Sequence, residues 1–372
     1  MDNRTDSNIL CLGWCDADDV INYGQILQGC SMMYLLRHFV YGKITYISFF
    51  PRTKKRQLLY WLKHFSITSG HLIPYLKTRK VLNSFIHDYR IHFIKASDDK
   101  TIEKMTQNVD CYICGSDQIW HPQNYDKNFF LGFGDKNIKR VSYAPSIPKT
   151  RIESQYKRQI TLMRSYLNNF EAISIREKMS VLFVRELSQK NVSTVLDPTY
   201  LVPKTVWDSF LEKKRVKDKY ILAYIPNGMD CRMSELIEEL REKIHISAVY
   251  SIVTRGNRHM IEGNEIGFVS LGQFLYLIKN ATCVITSSFH AVVFCTIFHK
   301  EFWCYNCTDP VRGEDIRLVS LLRDLGIEQR LIIPEEKIDY KKIDFQAVDQ
   351  RIESLKINSI TFLRNALNSD KK

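Results

Sequence analysis

The stretch that most constrains the fold runs from residue 281 to residue 298 (ATCVITSSFHAVVFCTIF). Its first six residues predict a short buried strand, and the apolar run at its end predicts a buried helix. The polar turn between them contains Ser287, Ser288 and His290. Ser288 is a favourable N-cap, so His290 lies in the first helical turn, where free N–H groups and the helix dipole favour an anion. The alternative is a capped helix with His290 as a packed core residue.

The same unit of strand, polar turn and helix recurs in two blocks, on either side of a break near Pro203. Such alternation predicts parallel sheets covered by helices on both faces. We therefore expect an α/β fold with two doubly wound, Rossmann-like domains and a ligand site in the cleft between them. The expected parts are a first domain (1–204) with a helical insertion outside the sheet (about 52–107), a second domain (205–340), and a C-terminal helix that packs back (341–372).

The composition describes an ordinary globular chain of 372 residues, with 45% hydrophobic and 25% charged residues. It has no run of 18 apolar residues, and its polar N-terminus does not resemble a signal peptide. We expect a cytoplasmic protein with access to the inner face of the membrane. The net charge of +12 fits an anionic substrate, an anionic membrane surface or nucleic acid. Nucleic acid is the least favoured partner, because no RNA-binding motif or zinc finger accompanies the charge.

Two C-x-x-C pairs, Cys111 with Cys114 and Cys304 with Cys307, raise the question of a metal site. Both lie in or beside predicted strands, where residues three apart point to opposite faces and cannot easily bind one ion. We expect buried reduced thiols and no metal requirement.

Another polar turn follows the apolar strand predicted at 109–114. Ser116, Asp117 and Gln118 offer a hydroxyl, a carboxylate and an amide, and Gly115 would let the backbone approach a ligand closely. The alternative is a simple turn in which Asp117 caps a helix.

Arg176 stands at the end of a predicted strand, directly before a predicted helix. An arginine suits that position when it meets the carboxylate or phosphate of a ligand. It suits the position equally in a salt bridge with Glu177 or Asp197.

Five blocks follow one another along the chain: GSDQIWHP (115–122), RVSYAPS (140–146), AISIRE (172–177), VLDPTYL (195–201) and VITSSFHAVVFCTIFHKEF (284–302). In this order they resemble the signature blocks of the polysaccharide pyruvyl transferase family. The opening NYGQILQ (22–28) and the segment from Asp315 to Arg317 fit the same pattern. The resemblance covers approximately residues 9–330. The chain departs from it on either side of His290, where it has Phe289 and Ala291 and several members of the family have other residues.

The resemblance implies a GT-B-like pair of domains, with the acceptor on the first and the donor on the second. It implies transfer of a pyruvyl group from phosphoenolpyruvate to a sugar of a surface polysaccharide, exopolysaccharide or capsule, which forms a ketal. Such chemistry needs an acid, a base and cations for the donor. Carried over, His290 is the acid or a phosphate ligand, Asp117 the base or a sugar ligand, and Arg176 and Arg317 the donor cations. The remaining candidate substrate ligands are Ser287, Ser288, Ser116, Gln118, Asn22, Tyr23, Gly24 and Ser146.

The partners that follow are phosphoenolpyruvate and a free or lipid-linked saccharide, with no further cofactor. One alternative is a glycosyltransferase with a nucleotide-sugar donor, which would need an acidic ligand such as Glu314 or Asp315. Another is a binding module that keeps the fold without catalysis. Polar residues at the ends of several strands argue against that module.

Overall fold

The computed structural model describes residues 4–15, 22–51, 72–226, 231–252, 264–305, 316–332 and 338–368. Strands and helices alternate through these residues and build two parallel sheets. This architecture confirms the predicted α/β fold with two Rossmann-like units.

The first sheet is built from seven parallel strands. They are β1 (Ile9–Gly13), β2 (Ile44–Phe49), β3 (Ile91–Ala96), β4 (Cys111–Cys114), β5 (Lys139–Ser142), β6 (Ala172–Ile175) and β7 (Val192–Thr194). Their spatial order is β3-β2-β1-β4-β5-β6-β7, so the chain reverses direction across the sheet between β1 and β4. The helices of this part are α1 (Tyr23–Phe39), α2 (Leu72–Asp88), α3 (Asp99–Glu103), α4 (Lys157–Leu167), α5 (Val181–Ser188) and α6 (Lys204–Ser209).

The second sheet is built from six parallel strands. They are β8 (Ile221–Tyr224), β9 (Val249–Ile252), β10 (Asn264–Ile266), β11 (Cys283–Thr286), β12 (Glu301–Tyr305) and β13 (Leu331–Ile332). The order β10-β9-β8-β11-β12-β13 repeats the pattern of the first sheet, with the reversal between β8 and β11. Its helices are α7 (Cys231–Ile244), α8 (Leu271–Asn280), α9 (Phe289–Ile297), α10 (Ile316–Leu325) and the terminal α11 (Phe345–Asn368).

The apolar strands are buried because helices cover both faces of each sheet, as parallel sheets require. One large core joins the two sheets through α1, α8 and α9. In it the rings of Trp207 and Phe294 meet edge to face at 5.2 Å. Separate cores fill the outer faces of the two sheets. The shared core packs the two Rossmann-like units firmly against each other.

The interval between the sheets, from Thr194 to Ile221, contains the boundary predicted at residue 204. Helix α11 returns to the first unit, where Ser359 Oγ accepts a hydrogen bond from Leu196 N at 2.9 Å. None of the described helices has the length and apolarity that a bilayer-crossing helix needs.

One expectation about the first unit is wrong. Residues 52–107 were expected to form a helical insertion outside the sheet, but β3 lies within them and pairs with β2 in full register. As an edge strand it leaves His92 and Lys95 exposed, so it lacks the unbroken apolar run that marks a buried strand. Helix α2 also lies in this interval, and residues 52–71 fall outside the described part of the chain.

Candidate functional site

The candidate site lies where the two points of chain reversal face each other. In open α/β sheets ligands bind beyond the carboxyl ends of the strands, at the reversal of strand order. The turn after β4 holds Ser116, Asp117 and Gln118, and the turn after β11 holds Ser287 and Ser288. The sequence blocks at these two turns are therefore brought to one region.

Helix α9 begins as predicted, with Ser288 as its N-cap. The Ser288 side chain accepts a hydrogen bond from Ala291 N at 3.4 Å, and its own N–H bonds Thr286 Oγ1 at 3.0 Å. His290 is thus held in the first turn and is buried. This confirms the predicted cap and places the imidazole at the amino end of a buried helix.

His290 packs directly against the first turn of α1. A Cβ atom on Gly24 would stand 2.2 Å from His290 Nδ1, so only glycine leaves room for the ring. Asn22 caps the same helix by accepting a hydrogen bond from Gln25 N at 3.3 Å. The amino ends of α1 and α9, one from each unit, therefore meet at this imidazole.

Arg176, after β6, is buried between two carboxylates. Its Nη1 donates to Asp197 Oδ2 at 2.7 Å, and its Nε donates to Glu177 Oε1 at 3.1 Å. Phe289 covers the guanidinium, with the ring centroid 3.9 Å from Cζ. Burial alone would lower the pKa of Arg176, but Glu177 and Asp197 raise it above its ordinary value. Arg176 therefore forms salt bridges with both Glu177 and Asp197, as the alternative interpretation expected. Its Nη2 has no hydrogen-bond partner among the described residues and is available to bind a ligand.

Asp197 links the arginine to the histidine. Its Oδ2 also accepts from Ser116 Oγ at 3.3 Å and lies 3.5 Å from His290 Nε2, and its Oδ1 accepts from Thr199 Oγ1 at 2.7 Å. Burial alone would raise the pKa of the Asp197 carboxyl, but His290, Arg176 and Thr199 hold it well below its usual range. Asp197 is therefore ionised, and its carboxylate fixes the positions of Arg176 and Ser116 beside His290.

The turn after β4 is tied into the same network. Ser116 N donates to Gln28 Oε1 at 3.1 Å, and Ser116 Oγ donates to Ala144 O at 2.8 Å. Asp117 is buried and has a φ of 72° and a ψ of −178°, a region that non-glycine residues rarely adopt. Its Oδ1 accepts from Gln118 N at 2.8 Å, so the capping alternative also holds. After Glu177 and Asp197, the Asp117 carboxylate is a further negative charge that raises the pKa of Arg176. Asp117 is therefore close enough to interact electrostatically with the guanidinium.

Gln118 and Arg317 meet across the two units. With its amide oxygen turned toward α10, Gln118 accepts from Nε and Nη1 of Arg317 at 2.8 and 2.6 Å. Arg317, Arg176, Asp197 and Phe289 line one narrow pocket. The structure thus brings the two predicted donor cations to the same pocket.

Four buried polar atoms near the two turns have no hydrogen-bond partner in the described part of the chain. They are Arg176 Nη2, Ser287 Oγ, Ser146 Oγ and His290 Nε2, whose contact with Asp197 Oδ2 at 3.5 Å lacks hydrogen-bond geometry. An unpaired buried polar group is costly, so such groups mark a place where a polar ligand would bond. One of the four is a cation, and the amino ends of two helices lie beside them. The combination favours an anion.

Tyr23, one of the candidate substrate ligands, packs between the two units. Its hydroxyl donates to Val269 O at 3.0 Å, and its ring stacks on Phe274 with centroids 4.3 Å apart. Burial raises the pKa of the phenol. Tyr23 therefore joins the two units from within the shared core, which its place in the sequence pattern did not reveal.

Sequence reasoning did not identify Asp197, Glu177 and Gln28 as parts of the site. Asp197 stood in a recognisable block, Asp-Pro directly after a predicted strand, and was considered only as a salt-bridge partner of Arg176. Gln28 had no local signal, because a glutamine within an apolar helix shows its role only when its partner at Ser116 is known.

The described residues contain no group of three or more His, Cys, Asp or Glu side chains that could hold a metal ion. Cys111 and Cys114 are buried thiols, as is Cys304. Cys307 lies outside the described residues, as do Glu314 and Asp315, the candidate acidic ligands of a nucleotide sugar.

Comparison with known proteins identifies the relatives of this chain. The model of one family, described as polysaccharide pyruvyl transferase, matches residues 22–310. No curated protein matches the sequence at a significant level. The solved structure of a putative UDP-N-acetylglucosamine 2-epimerase from Listeria monocytogenes is similar with a TM-score of 0.50 and 8% identity, over 97% of this chain and 91% of that one. The structure of MnaA from S. aureus with UDP has a TM-score of 0.50 and 9% identity, over 94% and 88%. At such low identity these two structures show the shared fold alone.

Proposed function

This chain belongs to the polysaccharide pyruvyl transferase family, and we propose that it transfers a pyruvyl group from phosphoenolpyruvate to a saccharide. Membership makes it a transferase and implies a saccharide acceptor. The finer parts of the proposal are the donor, a cytoplasmic reaction, and an acceptor that belongs to a surface polysaccharide, exopolysaccharide or capsule.

The observation that carries the choice of donor is the set of unpaired buried donors around Arg176 and His290. Phosphoenolpyruvate carries a phosphate and a carboxylate on the same carbon atom. Arg176 Nη2 offers a charge-assisted hydrogen bond to one of them, and the amino ends of α1 and α9 offer a favourable field to the other. Arg317, held by Gln118 at the same pocket, supplies a second cation.

The proposed reaction assigns a role to each group. His290 gives a proton to the methylene carbon while one acceptor hydroxyl bonds the adjacent carbon and Asp117 takes the hydroxyl proton. The second hydroxyl then bonds the same carbon, the bond to phosphate breaks, and the proton of that hydroxyl leaves with the phosphate. The product is a methyl-bearing ketal that keeps the carboxylate. Asp197, bonded to Arg176 and close to His290, orients the donor cation and the acid together.

The test is binding of phosphoenolpyruvate beside a panel of nucleotide sugars. A ligand at a hundred times its Kd should raise the free energy of unfolding by about 2.7 kcal/mol, which thermal unfolding detects readily. Stabilisation by phosphoenolpyruvate alone supports the proposal. Stabilisation by a nucleotide sugar alone would make the protein a glycosyltransferase instead.

The matched control for Arg176 is Arg140. Arg140 is equally buried, but all three nitrogens of its guanidinium donate to backbone carbonyls of residues 131–138. Arg140→Lys should therefore leave phosphoenolpyruvate binding unchanged, whereas Arg176→Lys should weaken it. Equal effects of the two substitutions would argue against a donor site at Arg176.

A further inference from the structure

Helix α2 exposes an unusual combination of apolar and basic side chains. Leu72, Ile73 and Leu76 are 57%, 65% and 52% exposed, although each is large and aliphatic. The next exposed positions on the same side are Arg79 and Lys80. Three aliphatic side chains within five residues form a cluster, whereas isolated exposed apolar residues are normal.

The opposite face of α2 is packed against the rest of the protein. Pro74, Tyr75, Thr78, Leu82 and Phe85 are buried. Thr78 Oγ1 accepts a hydrogen bond from Leu271 N, at the start of α8, at 2.9 Å. The exposed side of α2 is therefore a rigid surface and does not belong to a loosely attached helix.

The charge of this surface is of one sign. Between Leu72 and His87 the helix carries Lys77, Arg79 and Lys80 and no acidic residue, and Asp88 is its last residue. Lys77 pairs with Glu212, which leaves Arg79 and Lys80 as the cations beside the aliphatic cluster. Basic residues next to exposed aliphatic side chains suit the interface of an anionic bilayer.

The topology places the aliphatic cluster on the same side of the molecule as the candidate site. Helix α2 lies in the crossover between the parallel strands β2 and β3, so it runs against the strand direction. Its first turn therefore lies at the carboxyl edge of the sheet, where the turn after β4 lies as well. The bond from Leu271 to Thr78 brings the start of α8 to the same edge.

The geometry points to the exposed face of α2, formed by Leu72, Ile73, Leu76, Arg79 and Lys80, as a surface that docks the protein on an anionic lipid bilayer, with the candidate site turned toward the membrane. An acceptor sugar carried on a lipid would then reach the site from the bilayer. This last consequence rests on the proposed function, whereas the docking surface itself does not.

The experiment is co-sedimentation of the full chain with phosphatidylcholine vesicles, with and without phosphatidylglycerol. We expect binding only to the anionic vesicles, with affinity that falls as salt is added. The double substitution Ile73→Glu and Leu76→Glu should reduce binding at least tenfold. Matched controls are Leu182→Glu and Ile357→Glu, at positions 77% and 65% exposed on α5 and α11, and these should bind as the wild type does.

The charge contribution has its own control. Arg79→Gln and Lys80→Gln should each weaken binding roughly fivefold, the effect of one basic side chain near an anionic surface. Lys157→Gln and Arg158→Gln remove the same charge from exposed positions on α4 and should have little effect. If the α4 variants lost as much vesicle affinity as the α2 variants, the protein would be attracted by its net charge alone. That result would overturn the assignment of the docking surface to α2.

Three other results bear on the inference. Absence of wild-type binding to anionic vesicles would refute it. Dimers that the α2 substitutions convert to monomers, without vesicle binding, would show that a second copy occupies this face. Calorimetry with phosphoenolpyruvate separates the two proposals, because the α2 variants should bind the donor normally. Donor binding that fails in the wild type while vesicle binding holds would refute the proposed function and leave the docking surface standing.

Discussion

Replacing Gly24 by alanine should test the contact between α1 and His290. The added Cβ would lie 2.2 Å from Nδ1, 2.8 Å from Cγ and 3.0 Å from Cε1 of the imidazole. The ring would have to move about 1.2 Å to restore an ordinary contact of 3.4 Å. It has little freedom to do so, because it is buried and close to Asp197.

The effects on stability and on activity should differ in size. Alanine in place of glycine within a helix stabilises by about 0.5–1 kcal/mol, and overpacking costs about 1–3 kcal/mol. The free energy of unfolding should therefore change by no more than about 2.5 kcal/mol. A displacement of about 1 Å in a catalytic group lowers the rate about a hundredfold. We expect kcat/KM to fall about a hundredfold, equivalent to about 2.7 kcal/mol in the barrier.

The assay is phosphate release from phosphoenolpyruvate with an accepted saccharide, together with urea unfolding. Gly267→Ala is the control, because a Cβ there would meet no atom within 4 Å. The double variant Gly24→Ala with His290→Ala should be no worse than His290→Ala alone, since both changes act through one side chain. Wild-type kcat/KM in Gly24→Ala, or full additivity in the double variant, would refute the reasoning.

The remaining predictions concern the residues around the same pocket. His290→Ala should lower turnover at least a thousandfold while circular dichroism shows an intact fold; near-normal turnover would assign the proton transfer to another group. Arg176→Lys should raise the Kd for phosphoenolpyruvate about 10- to 100-fold in calorimetry, because a charged hydrogen bond contributes about 1.5–3 kcal/mol. The depressed pKa of Asp197 means that its stabilisation is complete above the unfolded value of about 3.9 and is lost as the pH falls toward the folded value. The urea concentration at the unfolding midpoint should therefore decrease as the pH is lowered below about 5, and it should decrease less steeply in Asp197→Asn. An equal dependence on pH in both proteins would contradict this. A chelator should leave transfer unchanged, and a loss of activity that added metal restores would contradict the absence of a metal requirement.

The buried ion pairs of Arg176 with Glu177 and Asp197 decide which substitution of Arg176 tests its function. A buried charge that loses its partner costs several kcal/mol, so Arg176→Ala would strand two carboxylates and is a poor test of function. Arg176→Lys keeps the charge and removes the planar fork that reaches Glu177, Asp197 and a ligand together. The conservative substitution is therefore the informative one.

Local sequence determined the elements and their order. The apolar run at 281–286, the polar turn after it and the N-cap at Ser288 are set by residues within a few positions of each other, because caps and periodicity are short-range effects. The two blocks of alternating strands and helices predicted the two parallel sheets for the same reason. The edge strand β3 escaped prediction because two of its six residues, His92 and Lys95, are exposed polar residues that break the apolar pattern.

Tertiary structure alone decided which polar residues face one another. Asp197 lies 21 positions from Arg176 and 93 from His290. The pairing of β6 with β7 brings its carboxylate to Arg176, and the packing of the two units brings it to His290. The same packing sets Gly24 against His290, Gln118 against Arg317, and Tyr23 in the core. Long-range contacts of this kind depend on how the two sheets dock through their shared core, and no local pattern encodes that arrangement.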